Sequence, residues 1–163
     1  MDSKQEMDQN KQGGSQYTKF VLMLLVSFIA MYTTMYLNNY STDHAYFSLT
    51  RFYMVCLGIS AMALIMLFFM MKMYKNKKKN IAIVLGSLIL FSSALTLVRT
   101  QTPISDVGYM KAMIPHHSIA ILTSKRADIN DPEVKKLADA IIKAQEKEIV
   151  QMKTMIKRLQ SDK

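Results

Sequence analysis

Three apolar runs, residues 20–37, 52–71 and 81–98, contain no charged side chain, and each is close to the ~18–20 residues that a helix needs to cross ~30 Å of hydrocarbon. Runs of that length cannot be left in water, and a chain of 163 residues has no second layer thick enough to bury all three. The sequence therefore predicts an all-α protein with a three-span transmembrane region over residues 17–98 and a polar extramembrane module over residues 99–163. The first run starts late and is followed by Asn38, Asn39 and Tyr40, with no small-residue cleavage pattern, so it is read as an anchor and not as a removable signal. The first 16 residues, rich in Gln, Asp, Lys, Gly and Ser, are expected to form a disordered cytoplasmic lead.

The formal net charge of +9 raises the question of nucleic acid, and its distribution answers it. Residues 72–79 hold five lysines and no acid, and the first 19 residues balance to zero. The tail from Arg99 carries twelve basic and eight acidic residues. More than half of the excess thus sits in one short segment between spans, which is the pattern of a cytoplasmic loop and not of a nucleic-acid footprint. The loop before Arg51 has no Lys or Arg, so it is expected outside. The prediction is a multi-pass protein of the cell membrane with a cytoplasmic N-terminus and an extracytoplasmic C-terminal module. Cys56 is the one cysteine, which excludes an intramolecular disulfide and any Cys-based zinc ribbon. It is expected to be a buried small hydrophobe. His44, in the outer loop, is expected to face solvent.

Within the tail, Pro103 with Ser105 or Asp106 opens a helix expected to reach about Asp128. Asp131 suits an N-cap and Pro132 the first turn of a second helix running to about Leu159. A linker of two or three residues makes the two helices an antiparallel hairpin. At 100° per residue, Met110, Met113 and His117 share one stripe of the first helix, with Asp106 at its start. The second helix has a stripe of Val134, Leu137, Ala138, Ile141, Met152, Met155, Ile156 and Leu159 that also contains Gln145 and Glu148. An amide and a carboxylate in an apolar seam need partners. Pairing residues at equal distance from a turn near Asn130 sets His117 by Gln145, Met113 by Glu148, Met110 by Met152 and Asp106 by Met155. His116 lies about 100° round from His117, placed for a second ion or a neighbouring subunit. Pro115 removes one amide donor, so the helix either kinks there or begins afresh.

Thioether sulfur with neutral imidazole is a soft donor set that suits copper(I), and silver(I) by the same softness; magnesium, calcium and manganese want hard oxygens. The expected metal ligands are Met110, Met113, His116, His117, Met152 and Met155, with Asp106, Gln145 and Glu148 around them. Glu148 fits either as a ligand or as the acceptor that fixes the imidazole tautomer. A methionine face in the second span, Met62, Met66, Met70 and Met73, is explained by lipid contact or helix packing.

The string Tyr109-Met-Lys-Ala-Met-Ile-Pro-His-His117, followed by Ala120-Ile121, then Asp131-Pro132-Glu133, Leu137-Ala138, Ile141 and Gln145-x-x-Glu148-Ile149-x-x-Met152, resembles the domain of unknown function 305 family over residues 104–159. That resemblance implies a ferritin-like helical bundle, copper and silver association outside the cytoplasm, and metal-ligand roles for Met113, His116, His117 and Met152. Thr123 stands where many members carry a further methionine. The tail supplies two helices where fuller members supply four, so self-association into a homodimer or higher oligomer completing a four-helix bundle is expected.

Two functions follow as expectations. One is a membrane-anchored copper(I)-binding protein for metal tolerance or homeostasis. The other is a structural or sensing membrane protein in which His117, Gln145 and Glu148 form a buried polar lock within an oligomerising hairpin. A di-iron enzyme does not fit, because the Glu-x-x-His helix motif is absent. With no nucleophile pair, phosphate loop or paired carboxylates, catalysis is not expected.

Overall fold

The computed structural model describes the backbone of residues 2–161 and the side chains of residues 15–161. Five α-helices follow one another: α1 Asp2–Leu37, α2 Leu49–Phe69, α3 Lys77–Thr100, α4 Asp106–Arg126 and α5 Pro132–Ser161. A single 3₁₀ turn, Thr42–His44, lies between α1 and α2, and no strand occurs among the described residues. The segments Ser15–Leu37, Leu49–Phe69 and Lys77–Thr100 are long and apolar enough to cross a membrane. At 1.5 Å per residue they measure roughly 32–36 Å. The backbone of α1 is helical from Asp2, so the lead expected to be disordered continues the first span; the side chains before Ser15 lie outside the described residues.

The chain divides into two compact units. One comprises the residues up to Tyr32 together with Phe52–Thr100; the other comprises Thr33–Arg51 and the chain from Gln101 onward. In the first, Tyr17, Phe20, Ala63, Leu67 and Tyr74 form a buried cluster on which Leu24, Met66, Met70, Ile83 and Val84 pack. Met66 and Met70 are thus helix-packing residues. A Cβ added to Gly58 would lie 2.8 Å from Met31 Cε, so α1 and α2 approach closely at a glycine, as spans do when small residues let backbones meet. Cys56 is buried. Much of the apolar surface, including Leu22, Leu25, Ile29, Phe68, Leu85 and Ile89, stays exposed, which a water-soluble unit of this size would not tolerate.

The second unit joins the α1–α2 connector to the α4–α5 pair. Ile114 and Ile121 of α4, fully shielded from solvent, pack with Met110, Ile149 and Ile156, and Tyr46, Val107, Met152 and Leu159 close around them. The spacing 107, 110, 114, 121 against 149, 152, 156, 159 is the i, i+3/i+4, i+7 recurrence of two helical stripes meeting. Ser105 caps α4 by accepting the Gly108 N–H at 3.2 Å. Pro115 is buried and α4 runs through it unbroken, so the helix does not begin afresh there. α4 stops at Arg126, where the Ala127 N–H bonds to the Thr123 carbonyl, leaving residues 127–131 as the linker, longer than the two or three expected. Lys125 and Arg126 in the last turn complement the helix dipole there.

Asp131 caps α5 as its position in the sequence predicts: its Oδ1 accepts the Glu133 and Val134 N–H groups, each at 2.9 Å. Asp131→Ala is expected to destabilise this unit by about 1 kcal/mol, and Asp131→Asn by only a few tenths. Thermal melts of the two variants check this; equal melting temperatures for wild type and Asp131→Ala would show that the cap contributes nothing.

Arg51 is 7 % exposed at the start of α2. Its Nη1 donates to the Met35 carbonyl at 2.7 Å, and its guanidinium lies 4.5 Å from the Tyr36 ring centroid. A cation on the last carbonyls of α1 is favourable for the helix dipole, and stacking on an aromatic face supports it further.

Candidate functional site

His117 projects from α4 toward α5, where its Nδ1 lies 3.1 Å from Glu148 Oε2. The expected partner from equal spacing was Gln145. Helical side chains lean toward their own N-terminus, so His117 reaches away from the turn, Glu148 reaches toward it, and the two meet between. The same lean joins Lys125 to Glu146 at 2.8 Å. The His117–Glu148 contact is within ion-pair distance but off the ring N–H direction, and Nδ1 remains buried with no hydrogen-bond partner. It is a close approach of the carboxylate to the ring, without a hydrogen bond. Burial pushes the His117 pKa below its ordinary 6.5, outweighing the nearby Glu148 carboxylate, which acts in the opposite sense. The imidazole is therefore neutral at pH 7 with a nitrogen lone pair or N–H unused.

Gln145, half-buried one turn before Glu148, also has a buried and unpartnered Oε1. Each such atom costs roughly 1–3 kcal/mol if left unsatisfied. Met110 lies in the α4–α5 core and Met152 packs on it; Met113 is half-buried. The remaining expected residues lie on the outside. His116 is exposed, with its ring centroid 6.1 Å from that of His117. Asp106 is exposed and Met155 is 46 % exposed. Val134 and Leu137, expected in the apolar stripe, are also exposed. Among the described residues no group of three or more His, Cys, Asp or Glu gathers at one point, so a site in this seam depends on its sulfur atoms.

The connector contributes contacts that helical periodicity did not reveal. His44, expected in solvent, has a side chain only 12 % exposed, and its Nδ1 is 3.0 Å from Ser118 Oγ. Ser118 is wholly buried and accepts the Tyr40 N–H at 2.7 Å. The tautomer that serves both neighbours of His44 has the Ser118 hydroxyl donating to Nδ1 and the imidazole proton on Nε2, 3.6 Å from Asp43 Oδ1. Asp43 is bound by Lys153 of α5 and accepts from Ser41 Oγ. Those two bonds, Lys153 first, hold its pKa at about 2. Burial lowers the pKa of His44, consistent with a neutral ring accepting from Ser118. Lys125 adds a bond to the Tyr40 hydroxyl at 3.3 Å and lies 4.5 Å from its ring centroid. The available sequence signal was the run Tyr40-Ser-Thr-Asp-His44, polar and aromatic between two spans.

Comparison with known proteins agrees with this division of the chain. No solved structure matches it. An uncharacterized protein of Acanthamoeba polyphaga mimivirus is 36 % identical over 139 residues, 83 % of this chain and 90 % of that protein. An alignment of that length extends well beyond residues 96–163 and takes in membrane-length helices. The family model described as Domain of unknown function (DUF305) matches residues 96–163, the segment that holds His117, Glu148 and the sulfur-bearing core. The DUF305 match is thus a property of the C-terminal segment, and the mimivirus protein is a relative of the chain over most of its length.

Proposed function

We propose that this protein is a membrane-anchored binding protein for monovalent copper, with silver(I) accepted by the same donors, acting in metal tolerance or homeostasis. The observation that carries the reading is the half-buried, neutral His117 imidazole, whose buried Nδ1 has no hydrogen-bond partner, set in a seam whose core includes Met110 and Met152. A soft cation is the ligand such a nitrogen and such sulfurs take together. Met113 is one turn from His117 on α4, and a rotamer change brings its thioether to the same ion. Gln145 and Glu148 orient the imidazole and offset the charge of the cation. His116, Met155 and Asp106 lie outside the buried seam and serve as entry ligands or as contacts to a second copy.

In this reading α4 and α5 form an antiparallel hairpin on the outer face of the cell membrane, and the lysine-rich turn and N-terminus are cytoplasmic. Two observations support it. The connector between the first two spans packs on α4 and α5, as segments on one side of a bilayer can, and the five lysines of residues 72–79 lie in the turn after α2 and the first turn of α3. Exposed Val134 and Leu137 offer apolar surface for pairing two hairpins into a four-helix bundle.

The alternative, a polar lock with no metal, draws support from the His117–Glu148 contact. The two orphaned atoms weigh against it, because a half-satisfied polar network is worse than an apolar seam. Anaerobic competition titration of the full chain in detergent against a chromogenic copper(I) chelator separates the two. Met113→Leu combined with His117→Ala is expected to weaken copper(I) binding at least tenfold. Unchanged affinity, with a melting temperature indifferent to copper(I), would establish the lock and sink the metal reading.

A further inference from the structure

The turn between α2 and α3, with the first turn of α3, contains Lys72, Lys75, Lys77, Lys78 and Lys79 and no acid. Five like charges in so short a stretch repel one another and favour a loose loop. The structure instead holds the turn on a buried frame. Tyr74 is 2 % exposed, with its ring 5.1 Å from that of Tyr17 and 5.4 Å from that of Phe20. The Tyr17 hydroxyl donates to Asn80 Oδ1 at 2.7 Å and accepts the Asn76 N–H at 3.1 Å. Asn80 Nδ2 donates to the Tyr74 carbonyl at 2.7 Å, and Asn76 Oδ1 accepts the Lys79 N–H at 3.1 Å. Residues of α1, the turn and α3 thus fix the backbone that carries the lysines.

Among the described residues the five ammonium groups meet no carboxylate. All five lysines are exposed, and no ion pair joins any of them to an acid among the described residues. Lys79 has only the Tyr17 ring, 5.0 Å from its Nζ. The turn also joins two membrane-length helices, so in a bilayer it lies at the depth of the lipid phosphates. Lysine suits that boundary, with an apolar stem that lies along hydrocarbon and a charged head that reaches the interface.

We infer that this turn is a binding surface for anionic phospholipid headgroups, recognised through the phosphate and the net negative charge that zwitterionic lipids lack. The inference rests on the membrane reading and is independent of the metal reading. The test uses the full chain in a neutral detergent, with thermal melts and native mass spectrometry on adding dioctanoyl phosphatidylglycerol, dioctanoyl phosphatidylcholine or inorganic phosphate. Phosphatidylglycerol is expected to raise the melting temperature and remain bound, phosphatidylcholine to do neither, and added salt to weaken the effect. Lys75→Gln with Lys77→Gln and Lys78→Gln is expected to lower apparent phosphatidylglycerol affinity at least tenfold, and the matching three Lys→Arg changes to keep it. The melting temperature without lipid shows that the variants are folded, and the copper(I) affinity of the same preparations reads the metal site separately. Equal response to the two lipids, full retention by the glutamine variant, or reproduction of the effect by inorganic phosphate alone would overturn the inference.

Discussion

Ile114→Ala is expected to lower the stability of the α4–α5 unit by roughly 2–5 kcal/mol, the cost of emptying a fully enclosed aliphatic site. Ile114 has no solvent exposure and lies in the cluster with Met110, Ile121, Ile149 and Ile156. Small domains have only about 5–15 kcal/mol in hand, so this one truncation removes much of what keeps the pair assembled. Hydrogen exchange on the full chain in detergent gives the sharpest reading: amides of α4 and α5 lose protection while those of α2 and α3 keep theirs. A loss below about 1 kcal/mol, typical of surface sites, would mean that Ile114 is not a core residue. Copper(I) affinity should fall with it, since His117 and Met152 are set by that packing.

The second large effect concerns Ser118. Ser118→Ala removes the acceptor of the Tyr40 N–H and the donor to His44, and stranding such groups in a buried place costs roughly 1–3 kcal/mol. A pH dependence accompanies it. The pKa of His44 is depressed in the folded state by burial, so the unfolded chain binds the proton first. The stability due to a neutral His44 is fully present above 6.5, its ordinary value, and is lost as pH falls from there through the lowered folded pKa. His117 is depressed in the same direction and adds to the slope. Asp43 does not contribute in this window: its contribution is intact above 3.8 and is lost only as pH falls through about 2. Lys125, with Glu146 and Tyr40 as partners, and Lys153, with Asp43, complete the charges that face the connector. His44→Gln should keep the bond from Ser118 and flatten part of the slope below 6.5, and adding His117→Gln should flatten the rest. Melting curves at a series of pH values decide it; an unaltered slope in the double variant would remove both histidines from the account.

The parts of this fold that sequence reveals are those whose signal runs along one dimension. Hydrocarbon thickness fixes how many uncharged residues a span needs, so three helices were countable from residues 20–98 without reference to what they touch. Caps are equally local: Ser105 and Asp131 stand where the chain needs an oxygen for free amides. The His117–Glu148 contact was missed by one turn because spacing locates Cα atoms, and side chains lean away from them. The connector's grip on α4 left only a polar and aromatic run, Tyr40 to His44, with no sign of what it would touch. Tyr40 and His44 meet Ser118 across 78 and 74 residues, and no periodicity encodes a bond between an irregular loop and a helix. The lysine turn was legible as charge, but its rigid frame was not, because Tyr17, Asn76 and Asn80 carry no pattern until folding brings them together.

Arg51 has a consequence of its own for helices that cross a bilayer. A guanidinium already engaged by a carbonyl of α1 and a ring of α1 cannot follow its helix into oil without dragging those partners along. In a bilayer it would act as a depth stop, making α1 and α2 leave the hydrocarbon at one level.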